Sequence, residues 1–436
     1  METRFEKYFL KRADLERREI EADSLQGVHR IVVIPVLAES ENLFKTLSDL
    51  KEQSGDLLGE TLILCVVNNR TADHASPESI QDNRKTLELL RGWKGSKLRI
   101  GIVDASSHGK ELGANEGVGT ARKIGLDLGS KILLDHGLSQ APLISLDADC
   151  RVPANYLSAI SQFFAEKERW AATVECFHPL DGSEGMANLR GILAYETHLR
   201  YHELGLRRAG SPYAFPTIGS TIVCTAEAYV VSGGMRKRRA AEDFYFLQEL
   251  AKTGRVDFIT DTWVTPSTRS SDRVPFGTGR SMGAFLGEEK KFYRTYHPES
   301  YEILRKWLIT VTEDPDLGSQ GLMQRAKEFS SALAEFLQDR NFPKAWDRIQ
   351  THSKSREKRL QDFHRWFDAF RTLKAIHFLR DHEFGLFPLF PSVEMLLGRM
   401  GVETPFPFGD ILPDDVDRQI EGLTFLRETM RRMKER

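Results

Sequence analysis

Pro142-Leu-Ile-Ser-Leu146-Asp147-Ala148-Asp149 joins a short apolar run to two acidic residues, and its reading decides the fold. An apolar run of this length, bounded by turn-forming residues, reads as a buried strand. The Asp-Ala-Asp step then falls where the strand ends. On extended backbone, carboxylates at i and i+2 point to opposite faces. At a strand end the chain bends, so both can approach one cation. Hard oxygen donors suit Mg²⁺ or Mn²⁺, and Mg²⁺ is usually held by one or two carboxylates together with substrate phosphates. The plainer alternative is an Asp-rich turn capping the next helix, and a bare Asp-x-Asp does not separate the two.

Working outward, Ile31-Val-Val-Ile-Pro35, Thr61-Leu-Ile-Leu-Cys-Val-Val67 and Leu98-Arg-Ile-Gly-Ile-Val103 read as three further buried strands. Helical spacing separates them over 41–53, 79–93 and 120–137. Strands of continuous apolar residues alternating with helices imply an α/β fold, a mainly parallel sheet flanked by helices on both faces. In such sheets ligands bind beyond the carboxyl ends of the strands. Downstream the pattern is mixed, with strands over 170–175 and 256–260 and helices over 186–201 and 244–252. From about Tyr293 the chain turns helical and charged, for example over 322–339 and 355–380. The expected organisation is an N-terminal helix in 1–27, packed on the next domain through Phe5, Phe9, Leu10, Leu15 and Ile20. An α/β domain over 28–280 and a helical C-terminal region over 281–436 follow.

Composition narrows the partners. Sixty-one basic against 63 acidic residues give a net charge of −2, so no polybasic surface argues for nucleic acid. Hydrophobic residues at 40% and charged residues at 28% suit a folded core of ordinary size. Cys65, Cys150, Cys176 and Cys224 form no close C-x-x-C pair and are expected as buried thiols in a reducing compartment. The N-terminal stretch lacks the apolar run of a signal peptide, and no window approaches the ~18 apolar residues of a membrane span. The expected location is cytoplasmic. The aromatic-rich segment from Phe384 to Leu397 reads as core of the helical region, with a lipid- or acceptor-facing surface and peripheral membrane contact as the alternative.

Several further stretches carry chemistry. Asn115-Glu-Gly-Val-Gly-Thr-Ala-Arg122-Lys-Ile-Gly125 combines close-approach glycines with an arginine able to pair with a phosphate or with an aspartate of the Asp-x-Asp step. Glu242-Asp243 opens a helix after Gly233-Gly234-Met235. Acids there are favoured by the helix dipole alone, and they could equally supply a general base for an acceptor hydroxyl. The stretch 265–280 carries Arg269, Arg273 and Arg280 among hydroxyl and small residues. It reads as a loop able to close over a diphosphate, or as a linker. His178, His198, His202 and His297 are candidates for a further metal ligand, against a core or surface role.

In this order the features resemble the family-2-like glycosyltransferases with a GT-A fold. The resemblance rests on Ile34-Pro35-Val-Leu-Ala-Glu39-Ser-Glu-Asn42, on Asn115, Gly117, Gly119, Ala121 and Arg122, on Asp147-Ala-Asp149 followed by Pro153, and on Gly233, Gly234, Met235, Glu242 and Asp243. It spans about residues 30–265. It implies that Pro35 and Glu39 border a nucleotide pocket with Asn68 near the base. Arg122 would hold the region around the diphosphate, Asp147 would lie nearer the ribose or sugar, and Asp149 would bind the metal. Asp243, with Glu242 beside it, would be the base of an inverting displacement. Outside the resemblance, Arg273 of the 265–280 stretch is a candidate donor contact. Ala38 stands where the family has Asn, Asn68-Asn69 where it has two aspartates, and Lys123 where it has Asn.

The function this implies is metal-dependent transfer of a sugar from a nucleotide-sugar donor to a hydroxyl acceptor. Nucleotidyl transfer on a related sheet is one alternative, although its glycine-rich, basic loop after the first strand is absent. A non-catalytic nucleotide-sugar-binding protein is the other.

Overall fold

The computed structural model describes residues 4–16, 18–93, 97–166, 168–237, 241–269, 281, 285 and 293–435. They form two compact units, one of Met1–Pro179 with Thr217–Arg280, the other of Leu180–Pro216 with Ser281–Arg436. Residues 180–216 thus group with the C-terminal region, although the sequence places them inside 28–280.

The first unit is built on a seven-stranded sheet: β1 (Arg30–Val36), β2 (Thr61–Asn68), β3 (Arg99–Ala105), β4 (Pro142–Ser145), β5 (Ala171–Cys176), β6 (Ile222–Thr225) and β7 (Val256–Val264). Their spatial order is β3-β2-β1-β4-β6-β5-β7. The first four are mutually parallel, with Ile34 opposite Cys65 and Val32 opposite Ile144. The short β6 runs antiparallel to both β4 and β5. The expected mainly parallel sheet is therefore present, and β6 is the strand that the sequence reading missed. It is too short to show a period.

Continuous burial of β1 and β2 follows from helices on both faces. On one face Val32, Ile34, Ile63 and Cys65 pack with Leu43, Leu47 and Leu50 of the helix Asn42–Lys51. On the other lies the helix Val118–Asp135, buried almost all round. It can approach β1 because Gly125 carries no side chain, since a Cβ there would come within 2.2 Å of Val33.

That helix buries charge as well. Asp127, fully buried, accepts from the hydroxyls of Tyr8 and Tyr229 at 2.6 Å each, from Lys123 at 2.7 Å and from the Asp14 backbone N–H at 2.6 Å. Tyr8 lies on the helix Arg4–Lys11, so the N-terminal segment is moored by one carboxylate. Phe5 and Phe9 are half-buried, with Lys131 over the Phe9 ring, but the expectation that Leu10 packs on the domain is corrected. Tyr8 is its buried residue and Leu10 is 70% exposed. The phenol combines apolar bulk with a hydroxyl that Asp127 requires. The helix is also shorter than expected.

The second unit centres on the helix Met186–Ala209. Its Tyr201 and Leu204 join Tyr301, Trp307 and Leu308 of the helix Pro298–Glu313 in a large apolar cluster. Gly205 makes room for the Tyr301 ring, 2.5 Å from where a Cβ would stand. The helix Val416–Lys434 pairs charge with it at matching seven-residue steps. Glu196 takes Arg427 at 2.6 Å, and Glu203 takes Lys434 at 3.2 Å. A two-stranded ribbon, β8 (Arg294–Tyr296) with β9 (Leu386–Pro388), completes the unit. The stretches 322–339 and 355–380 each hold two helices rather than one, broken at Ser330 and at 367–368, where Ser330 and Asp368 cap the following helix. Leu389, Phe390, Val393, Leu396 and Leu397 lie in the core, as the sequence suggests. All four cysteines are buried thiols. Among the described residues no helix is long and apolar enough to cross a membrane.

Replacing Asp127 by Ala strands the buried Lys123 charge and should cost about 3–5 kcal/mol. Tyr8→Phe removes one bond to a charged acceptor and should cost about 1.5–3 kcal/mol. Urea unfolding of the two variants against wild type measures both, and an unchanged midpoint for Asp127→Ala would remove this carboxylate from its mooring role.

Candidate active site

The chain passes from β1 out to β2 and β3, then returns to place β4 on the other side of β1. The strand order reverses there, and such a crevice beyond the carboxyl ends is where open α/β sheets bind ligands. Glu39 follows β1 and Asp147-Ala-Asp149 follows β4, so the two acidic turns flank this point.

The Asp147–Asp149 turn is clamped from the helix Asn42–Lys51. The Thr46 hydroxyl lies 2.9 and 2.8 Å from the carbonyls of Ala148 and Cys150. Asp49 receives Arg151 in a two-pronged pair at 2.5 Å and the Val152 N–H at 3.1 Å. Arg151 also exchanges two 2.9 Å backbone bonds with Thr265, which draws the chain after β7 alongside the turn. None of these partners stood out in the sequence, because Asp49 and Arg151 are 102 residues apart.

Arg122 sits at the centre, 3% exposed. Its guanidinium donates to Asp147 at 2.5 Å and to Glu242. Burial opposes its charge, but Asp147, Glu242 and Asp243 more than offset this and keep it protonated. Gly219 makes the seat possible, since a Cβ there would lie 2.8 Å from the guanidinium carbon. The sequence signalled the Arg122–Asp147 pairing as one of two options. It gave no sign of Gly219.

Asp243 follows Glu242 at the start of the helix Glu242–Thr253. Burial first, and then the neighbouring Glu242 charge, push its carboxyl up to about 6, against the lowering influence of Arg122. The residue before the pair, Ala241, is held at φ 58°. A left-handed non-glycine costs of order 1–3 kcal/mol and tends to occur at functional sites. The glycines upstream serve the N-terminal segment, since a Cβ on Gly234 would fall 1.8 Å from the Tyr8 hydroxyl.

The other expected residues fall into groups. Pro35 lies buried in β1 beside Val66. Asn68 is 1% exposed, and its amide donates to the carbonyls of Val36 at 2.9 Å and Val66 at 3.2 Å. The Asn83 amide donates to the Asn68 carbonyl and the Asn69 side chain at 2.9 Å each, and its oxygen accepts from Ala38 N–H. Asn68 thus braces the floor of the crevice. A carboxylate there would set acceptors against carbonyls. His198 and His202 belong to the second unit, where they bond Thr295 at 2.9 Å and Tyr301 at 2.8 Å. Burial pulls them down to about 4 and about 3. His297 caps a helix by accepting from Glu299 N–H. Arg273 lies outside the described residues.

Arg269, four residues past Thr265, does reach the crevice. One of its nitrogens bonds Glu39 and lies 3.2 Å from Asp149, while Asn42 donates to the other Glu39 oxygen at 2.9 Å. Among the described residues no group of three or more His, Cys, Asp or Glu could hold a metal. Glu39 and Asp149 nevertheless lie within reach of one cation, because a single guanidinium nitrogen spans them. Two oxygen donors of this kind fit a divalent ion whose remaining ligands come from phosphate or water.

No protein-family model and no curated protein matches the chain. Among solved structures it is similar to S. aureus TarS 1-349 in complex with UDP-GlcNAc, at 13% identity over 89% of this chain and 95% of that one, with a TM-score of 0.39. It is also similar to the mannosyltransferase PcManGT from Pyrobaculum calidifontis in complex with GDP-Man and Mn²⁺, at 13% identity over 98% of this chain and 89% of that one, with a TM-score of 0.37.

Arg122→Met removes a positive neighbour that lowers the Asp243 carboxyl. Its titration midpoint should therefore move above the value of about 6 set in the intact site. Gly219→Ala, which crowds the guanidinium, should move it the same way by less. Carboxyl ¹³C NMR titration reads both, and a midpoint that stays or falls in Arg122→Met contradicts the pairing described here.

Proposed function

We propose that this chain is a glycosyltransferase that moves a sugar from a nucleotide-sugar donor to a hydroxyl acceptor, with Asp243 as the base of an inverting displacement. The observation that supports it is the double pairing of Arg122 with Asp147 and Glu242, beside an Asp243 carboxyl pushed up to about 6. A base whose pKa lies near working pH is both deprotonated and able to accept a proton.

In this reading Asp243 takes the proton of the acceptor hydroxyl as its oxygen attacks the anomeric carbon. The bond from that carbon to the diphosphate oxygen breaks, and its electron pair leaves with the nucleoside diphosphate. Glu242, paired with Arg122, helps burial to raise the Asp243 carboxyl to about 6. Asp147, a third exposed, faces the sugar or ribose from the other side of Arg122. Glu39 and Pro35 border the nucleotide, with Asn68 behind them, and Arg273 adds a donor contact. Mg²⁺ or Mn²⁺ would be held by Asp149, and when bound it neutralises charge on the departing diphosphate.

Asp243→Asn should lower kcat by about 10²–10⁴-fold while leaving donor binding, read by thermal shift, nearly unchanged. In wild type, kcat/KM should fall about tenfold per pH unit below an acid limb near 6, because the protonated carboxyl cannot accept the hydroxyl proton. A variant that turns over at the wild-type rate across this range excludes Asp243 as the base. Asp149→Asn should abolish metal-dependent stabilisation by nucleotide-sugars.

A further inference from the structure

The cation that the described structure places between Glu39 and Asp149 is a residue of the chain itself. The Arg269 guanidinium joins two carboxylates that follow different strands, β1 and β4, on either side of the point where the strand order reverses. Glu39 is almost buried, its side chain 9% exposed, and is held from behind by Asn42. Asp149 is fixed by the turn that Thr46 and Asp49 clamp. Arg269 itself is reached by a short path, four residues beyond the Arg151–Thr265 bridge. Its Nε is buried with no hydrogen-bond partner. The arginine therefore meets two acids through one nitrogen of its planar fork, whereas Arg151 closes its fork on both oxygens of Asp49.

We infer that Glu39 and Asp149 together form the cation site, and that Arg269 is a tethered cation which a divalent metal displaces from it. The inference rests on the proposed metal-assisted transfer and adds two things to it. Glu39 becomes a metal ligand rather than only a wall of the nucleotide pocket. Arg269, once displaced, is a free guanidinium beside the incoming diphosphate, with a geometry suited to two-pronged phosphate contact. Metal and donor then bind together: the ion releases the arginine, and the donor's phosphates engage what has been released. Without the ion, Arg269 keeps the two carboxylates from repelling each other.

Exchange has a measurable cost. If Arg269 holds the pair most of the time, apparent metal affinity is reduced by the fraction of molecules in which the pair is open. Removing the arginine should therefore tighten metal binding, where loss of an ordinary site residue would weaken it. Mn²⁺ titration of the nucleotide-free full chain, with free Mn²⁺ followed by its EPR signal, tests this in wild type, Arg269→Gln, Arg269→Lys, Glu39→Gln/Arg269→Gln and Asp149→Asn.

Arg269→Gln is expected to bind Mn²⁺ about tenfold more tightly than wild type, and Arg269→Lys to stay close to wild type. The Glu39→Gln/Arg269→Gln double variant is expected to lose the gain. Thermal unfolding of each variant confirms a folded chain. If Arg269→Gln binds Mn²⁺ no more tightly than wild type, while Asp149→Asn abolishes binding, the exchange is overturned and the metal at Asp149 stands. If the double variant keeps the gain, Glu39 is no ligand and the two-carboxylate site is overturned. If no form binds Mn²⁺ yet nucleotide-sugars still raise the melting temperature in EDTA, the exchange and the metal assignment both fall while donor binding survives.

Discussion

A guanidinium withdrawn from water needs several partners, and that requirement at Arg122 organises the first unit. Burying such a charge costs several kcal/mol, which a single ion pair in protein rarely recovers. Here the charge meets Asp147 at the end of β4 and Glu242 at the start of a helix, with Asp243 adjacent. Segments far apart in sequence converge because each supplies a share of the neutralisation. Gly219 and Gly125 are the steric counterpart, one leaving room for the guanidinium and the other letting its helix lie close to β1.

The same helix solves the problem twice. One residue beyond Arg122, Lys123 turns to the opposite side and pairs with Asp127, which also gathers Tyr8, Tyr229 and the Asp14 backbone. Arg122 faces the acids of the crevice, and Lys123 faces the N-terminal segment. The departure at 123 from the Asn of the resembling family thus has a local meaning: a cation there provides the counter-charge for Asp127. Because Tyr8 also fills the space over Gly234, the N-terminal segment packs on the Gly233-Gly234 turn as well as on the helix carrying Arg122.

What the sequence made legible follows from range. The strands of the parallel half and the helices between them were readable from apolar runs and spacing, since both signals are local. The Asp147–Asp149 turn and the acid pair at 242–243 were readable for the same reason. The clamp of Asp49 on Arg151, the seat at Gly219 and the mooring of Tyr8 on Asp127 were not, because each depends on residues brought together only by the fold. The grouping of 180–216 with the C-terminal helices was hidden similarly. Its charged pairs, Glu196 with Arg427 and Glu203 with Lys434, look like ordinary surface residues until two helices lie side by side. The Asn68-Asn69 pair stood out as a departure from two aspartates, with Asn68 expected near the base, whereas its amides serve backbone carbonyls and the side chain of Asn83.

The charge balance of the crevice gives a reason for a mobile cation there. Among the described residues, the carboxyl groups of Glu39, Asp147, Asp149, Glu242 and Asp243 gather around the guanidinium groups of Arg122 and Arg269. Arg122 is committed, being buried and shared among acids. Protonation of Asp243 below about pH 6 relieves one negative charge but would disable it in the proposed role of base. A diphosphate approaching this group of acids is repelled unless positive charge accompanies it, and unpaired like charges at close range cost more inside protein than in water. A divalent ion supplies more charge in less volume than a guanidinium, and its open coordination positions can accept phosphate oxygens. In the proposed exchange, replacing Arg269 with such an ion would raise the positive charge of the crevice as the donor enters, without moving the strands that carry Glu39 and Asp149.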